Sequence, residues 1–448
     1  MPNKGKKLNK KAKLLGGVGV GGLAVADRMN MTSDEDYDTA DNMSVISSQS
    51  ETRSITEEGS GGIFGDSTEQ VDEISAQEEF EEKLKDCIDL LSDKSAKSRE
   101  NALKGLITAF SKKYLIDFLS DRCVTVGDSL EKCLKKGKGE EQALAAHACM
   151  LLSIQLGLGA LGEEFYKTIK PVLITIMVDK SAAIKARAKC AEAAGLLCFI
   201  ASGDLEAVLA MMESFEGIFK ASYLKGDGSP AIVTPQDATL HCSALSAWSL
   251  LLSVASPNMV AKIIETHLLK LPGIMESGDV DLRIVAGEAV AMLYELARES
   301  DEDFEGEDLE FLCQRLKTLA TDSNKYRAKK DRRQQRSSFR DILRAVEEGE
   351  APELSIKFAH EVLYIETWVH KRQYDALCHV MGTGMNNHLQ ENELIRDIFG
   401  LGSPVPLAAA KLTKASKVDR HMFNAAAFKA RTKARAKVRD KRFVHAAY

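Results

Sequence analysis

The chain has 448 residues with a formal net charge of −6, long enough for two or three domains and a sizeable core. No apolar run is long enough to cross a bilayer, and nine cysteines without a CxxC pair or an HExxH argue against a metal site and a disulfide framework. The modest net charge hides two opposed blocks. Within residues 33–82 only Arg53 opposes the acids, whereas residues 411–442 set twelve Lys and Arg against Asp419 and Asp440.

In chain order, a lysine arm comes first, with Lys4, Lys6, Lys7, Lys10, Lys11 and Lys13 ahead of the apolar LLGGVGVGGLAVA. It imitates a signal peptide, down to the small residues Ala24 and Ala26. Five glycines interrupt its apolar stretch, and the thiols further on fit buried, reduced cysteines, so the arm reads as a flexible basic segment. Gly17, Gly19 and Gly22 spell GxGxxG, but a dinucleotide loop needs a strand before it and a helix after it. A lysine run and an acidic stretch flank it instead, so the match is accidental. Residues 27–75 hold too few large apolar side chains to offset their ordering entropy, and residues 1–77 read as disordered. Ser33 and Ser48 each have an acid three residues on, a pattern for acid-directed phosphorylation. The alternative is an inert solvated linker.

Residues 78–320 carry a repeated small-x-x-small pattern followed by large apolar residues. It occurs at Ala102 and Gly105, Ala145 and Ala148, Ala191 and Ala194, Ala244 and Ala247, and Ala286 and Ala289. The first alanines are 43, 46, 53 and 42 residues apart, near the HEAT and armadillo period of roughly 40–47 residues. Small residues one turn apart let helices of successive repeats approach, while Leu151, Leu197, Leu250 and Leu293 fill a continuous core. An inserted loop, KGDGSPAIVTPQD at 225–237, explains the long third interval. His147 and His241 fall inside these helices with no partner at metal spacing, so they read as satisfied structural histidines. Trp248 takes a core position. The predicted fold class is all-α, a HEAT/armadillo-like helical solenoid followed by a mostly helical carboxyl-terminal domain at 321–405. Solenoids offer long surfaces and few closed pockets, which points to binding, with no catalytic residues, no cofactor and no metal.

After one more helix around Phe311 to Leu319, the segment 325–343 gathers Lys325, Arg327, Lys329, Lys330, Arg332, Arg333, Arg336 and Arg340 against the single acid Asp331. Phe339, Ile342, Leu343 and Val346 follow helical spacing, which anchors this basic ridge to a core. Five of the eight cations are arginines, suited to bidentate contact with phosphate. A solvated face or a nuclear-import signal is the competing reading. Beyond Gly349 and Pro352, alternation in Leu354, Ile356 and Phe358 and again in Leu363 and Ile365 predicts a short β-hairpin. Tyr374, Leu377, Cys378 and Met381 predict a helix stopped at Gly382-Thr383-Gly384, and a single further helix runs to Phe399.

The runs RAKKDRRQQRSSFRDIL, SIKF, EVLYIETW, YDALCHVMGTGMNNHLQ and LIRDIFGLG resemble the carboxyl-terminal domain of the interferon-related developmental regulator family. The preceding repeats are compatible with that family, so the likeness spans roughly residues 78–405. The resemblance implies a non-enzymatic regulator, associated either with translationally idle ribosomes or with transcriptional co-repression through histone-deacetylase complexes.

The tail, 406–448, favours helix through its alanines. It places Lys429, Arg431, Lys433, Arg435, Lys437, Arg439 and Lys441 at every second position, with Arg442 next. On a helix, steps of two residues spread these charges around the circumference, which suits a groove walled by RNA. An extended chain would aim them to one side. The leading expectation is therefore a monomeric ribosome- and ribosomal-RNA-binding translation repressor that fills a channel. The alternative is a nuclear co-regulator that scaffolds histone-deacetylase co-repressor proteins, and the two together place the chain in cytoplasm and nucleus. Neither involves a membrane or a small-molecule substrate.

Overall fold

The computed structural model describes residues 68–322 and 328–404. The lysine arm, the GxGxxG match, Ser33, Ser48, Lys325, Arg327 and the tail from 405 onward lie outside the described residues.

Helix α1 (Thr68–Leu90) leads to α2 (Ala96–Lys112), which starts where the Ser95 hydroxyl accepts the Ser98 N–H. Then follow the short α3 (Ile116–Leu119), α4 (Cys123–Lys136), α5 (Glu140–Leu156), α6 (Ala160–Val178) and α7 (Ile184–Ala201). Next come α8 (Leu205–Phe219), α9 (Pro235–Leu252), α10 (Pro257–His267), the short α11 (Leu271–Ile274) and α12 (Val280–Ser300). The five helices that carry the small-x-x-small pattern, α2, α5, α7, α9 and α12, form one row, each packed on the next. The intervening α4, α6, α8 and α10 form the outer layer. The array is thus a helical solenoid of the armadillo/HEAT type.

The close approach is physical. A methyl group on Gly195 would lie 2.6 Å from Cβ of Ala247, so α7 and α9 touch nearly backbone to backbone. Ala145, Ala191, Ala244 and Ala286 are fully buried, as are Leu151, Leu197 and Leu293, and Leu250 is nearly so. The long third interval is the connection ahead of α9, whose first residue is Pro235 behind a Thr234 cap. Trp248 is fully buried. All nine cysteines are free thiols, six of them buried.

Helix α13 (Leu309–Thr321) and α14 (Lys329–Glu348) extend the two layers, with α14 against α12. Gly287 of α12 leaves room for Ile342 and Phe339 of α14. Gly349, in the left-handed region at φ 72°, ends α14. The hairpin is present as β1 (Leu354–Phe358) antiparallel to β2 (Glu361–Ile365), with Ile356 opposite Leu363. Helix α15 (Trp368–Met381) stops at Gly382, as the sequence indicates.

One expectation is corrected. The single helix predicted to reach Phe399 is two, α16 (Met385–Glu391) and α17 (Glu393–Ile398), broken at Asn392. The Asn392 side chain accepts the Ile395 N–H at 3.3 Å, capping α17, and donates to the Ile154 carbonyl at 3.0 Å. A bond to the array thus selects the break.

Helices α15 and α16 run back along the row of inner helices, touching α12, α9, α5 and α2 in turn. Glu295 of α12 accepts the N–H groups of Trp368 and Val369 at 2.7 and 3.0 Å, holding the start of α15. Lys371 bridges Glu288 and Asp375, Gln373 donates to Ser253, and His379 meets Glu192. At the far end the backbone at Gly384 lies directly on the carbonyl of Ser111. The chain's own carboxyl-terminal helices cover this inner face.

Candidate nucleic-acid interface

Helix α14 starts at Lys329, so six of the eight predicted ridge cations stand on the helix itself. At 100° per residue, Lys329, Arg333, Arg336 and Arg340 fall within about 60° of one another. They form a stripe about 16 Å long, enough to face several phosphates of one strand, whose charges recur at about 3.4 Å of rise. Lys330 and Arg332 flank it. Lys329, Lys330, Arg333 and Arg340 are exposed, whereas Arg332 and Arg336 are half-buried. Arg336 donates through Nε to the Arg332 carbonyl. Among the described residues, Lys329, Lys330, Arg332, Arg336 and Arg340 form no ion pair.

The opposite face of α14 holds the stripe in place. Phe339, Ile342 and Val346 are fully buried and Leu343 is half-buried. Gln335, also buried, donates to the Leu319 carbonyl at 3.2 Å and to Asp322 at 3.3 Å. Arg298 of α12 donates to the carbonyls of Ala345 and Val346, both at 2.6 Å, in the last turn of α14. A cation at a helix carboxyl end meets the negative end of its dipole. The acid of the ridge, Asp331, acts on Asp281 of α12. Burial raises the Asp281 carboxyl, Asp279 and Asp331 raise it further, and Lys330 opposes them. Past the stripe the charges are paired, Arg344 with Asp341 and Glu350, and Lys317 with Glu347. The positive charge of Lys329, Lys330, Arg332, Arg336 and Arg340 therefore lies along α14 ahead of these pairs.

The two histidines noted in the sequence have structural partners. His147 Nε2 lies 2.9 Å from the Val380 carbonyl, and burial lowers its pKa. His241 Nδ1 lies 2.6 Å from the Ser222 hydroxyl. Among the described residues no group of three His, Cys, Asp or Glu side chains is placed to hold a metal ion.

Sequence reasoning missed a buried polar cluster between α8, α9 and α10. Glu216 meets His267 Nε2 at 3.1 Å, Lys220 at 2.7 Å and Trp248 Nε1 at 3.1 Å, while the Tyr223 hydroxyl lies 2.6 Å from His267 Nδ1. Burial pushes the Glu216 carboxyl up, but the His267 and Lys220 contacts outweigh it and hold the group down at about 2. The reading also missed Glu288, Glu295 and Lys371, which hold α15. No local signal marks Glu288 and Glu295, because their partners on α15 lie more than 70 residues away.

The profile described as interferon-related developmental regulator matches residues 42–347, and one described as interferon-related protein conserved region matches residues 392–443. These matches extend beyond residues 78–405, into the acidic stretch and the basic tail. A mouse protein named interferon-related developmental regulator 2 is 51% identical over 379 residues, covering 84% of this chain and 85% of that protein. Mouse interferon-related developmental regulator 1 is 48% identical over 412 residues, covering 92% and 90%, and the human protein of that name is 48% identical over 92% and 89%. Among solved structures, a designed armadillo repeat protein aligns over 59% of this chain and 99% of its own, at 16% identity and a TM-score of 0.36.

Proposed function

This chain belongs to the interferon-related developmental regulator family, and we propose that it regulates by binding the RNA of the ribosome and repressing translation sterically. The observation that carries the reading is the stripe of Lys329, Arg333, Arg336 and Arg340 on a helix anchored by Phe339, Ile342 and Val346. A rigid row of cations meets phosphates without first losing the conformational freedom of a loose chain. The family likeness points to the ribosome among possible RNA partners. Because α15 and α16 pack along the inner helices, this reading places RNA on α14 and not on the inner row. The array serves instead as the frame that fixes α14. Segment 406–448, with basic residues at every second position from Lys429 to Lys441, is the part proposed to enter a channel and exclude messenger or transfer RNA. No side chain needs to perform chemistry in this scheme.

The test is gradient sedimentation of cell lysate at low and raised salt, comparing the natural protein with a Lys329→Gln, Lys330→Gln, Arg340→Gln variant. Co-migration with single ribosomes, lost steeply as salt rises, is expected. Each phosphate contact removed should reduce the slope of log affinity against log salt by roughly 0.7–0.9. Migration at the top of the gradient, with RNase-resistant association with a nuclear histone-deacetylase complex, would replace this reading with the co-repressor one.

A further inference from the structure

Large apolar side chains stand in solvent along one edge of the array, where inner helices end and outer helices begin. Val124 in α4 is 70% exposed, Leu158 just before α6 is 65%, Leu205 in α8 is 42% and Phe311 in α13 is 68%. Single exposed leucines are ordinary, but these four recur at the start of four outer helices, α4, α6, α8 and α13, and so follow the repeat. Acids fill the gaps. Glu164, Asp204 and Glu206 are exposed and form no ion pair among the described residues, and the acids of the stretch 301–310, DEDFEGEDLE, are all exposed.

We propose that this edge docks the chain's own carboxyl-terminal segment, residues 405–448. Charge is complementary, because residues 411–442 carry twelve Lys and Arg against two acids. Apolar character also matches, since Leu412, Val418, Met422, Phe423 and Phe428 lie among those cations. Position agrees as well. Leu394 of α17 packs on Gly157, the neighbour of Leu158, and Arg396 binds the carbonyls of Leu401, Gly402 and Ser403. The last described residues therefore follow a helix that packs beside Leu158, the second member of the apolar row. Reach is sufficient: α5 and α12 are three helix spacings apart, about 30 Å, and the segment spans about 65 Å even if wholly helical. Docked there, its cations face the chain's own acids, and RNA must displace them. The dock stands apart from the RNA reading; only that competition rests on it.

Zero-length carbodiimide coupling of the full chain, at low concentration and with isotopically light and heavy copies mixed, tests the contact. Links from lysines of 411–441 to Glu164, Glu206 and the carboxylates of 301–310, within one copy, are expected. They should fall at least threefold in an Asp301→Asn, Asp303→Asn, Glu305→Gln, Glu307→Gln variant whose helical circular dichroism is unchanged. Links between light and heavy copies would assign the edge to a second molecule. Links confined to the acids of 33–82, or none from the segment, would also overturn the dock. Adding a short single-stranded RNA separates the two ideas, since links that persist at saturating RNA end the competition while leaving the dock.

Discussion

Two glycines show how packing sets the sign of the same substitution. At Gly195 an added methyl meets Cβ of Ala247 at 2.6 Å, on a partner helix that cannot yield without moving the row. Gly195→Ala should destabilise by about 1–3 kcal/mol. Gly217, inside α8, has nothing within 4 Å, so Gly217→Ala should stabilise by roughly 0.5–1 kcal/mol. Urea denaturation of both variants, with opposite midpoint shifts, checks the pair. Glu216 makes a prediction about acid. Its carboxyl is held at about 2 against an ordinary 4.5, so its stabilisation is present above 4.5 and is lost as pH falls toward 2. The melting temperature of the natural protein should drop across that window. Glu216→Gln should start lower and drop less.

Side chains of α12 hold the end of α14 and the start of α15. Removing the Arg298 guanidinium leaves the carbonyls of Ala345 and Val346 without its donors, and Arg298→Ala should cost about 2–3 kcal/mol. Glu295 holds two N–H groups at the start of α15, with Thr367 capping a third, that of His370. Glu295→Ala should speed amide exchange across 368–381 while exchange in α5 and α7 stays slow. Equal acceleration in both would mean that α15 is not held locally at this end. The stripe is legible in sequence as a charge run. Its direction is not, because that depends on which side of α14 meets α12, and Phe339, Ile342 and Val346 make that choice only once Gly287 offers the space.

Across the whole molecule, a repeat array alone has neighbour contacts only and can unfold in parts. Here bonds such as His147 to Val380, His388 to Phe110 and Asn392 to Ile154 tie the carboxyl-terminal helices to repeats far away in the chain. The protein should unfold in urea as one transition, with the same midpoint by fluorescence and by circular dichroism. Asn392→Ala combined with Glu295→Ala should lower the slope of that transition or split it.

The sequence by itself determined the repeat, the hairpin, the helix around Phe339 and the family likeness, because each is written in local periodicity or in contiguous runs. Small residues at fixed spacing dictate close helix packing wherever they occur, so Ala145, Ala191, Ala244 and Ala286 announce the inner row in advance. Only the tertiary structure decided the rest: the break at Asn392, the buried Glu216 cluster, and the return of α15 and α16 over the inner helices. Each depends on polar groups that find partners across long stretches of chain. Such a pairing has no period, and its residues look like ordinary solvated ones until the fold brings them together.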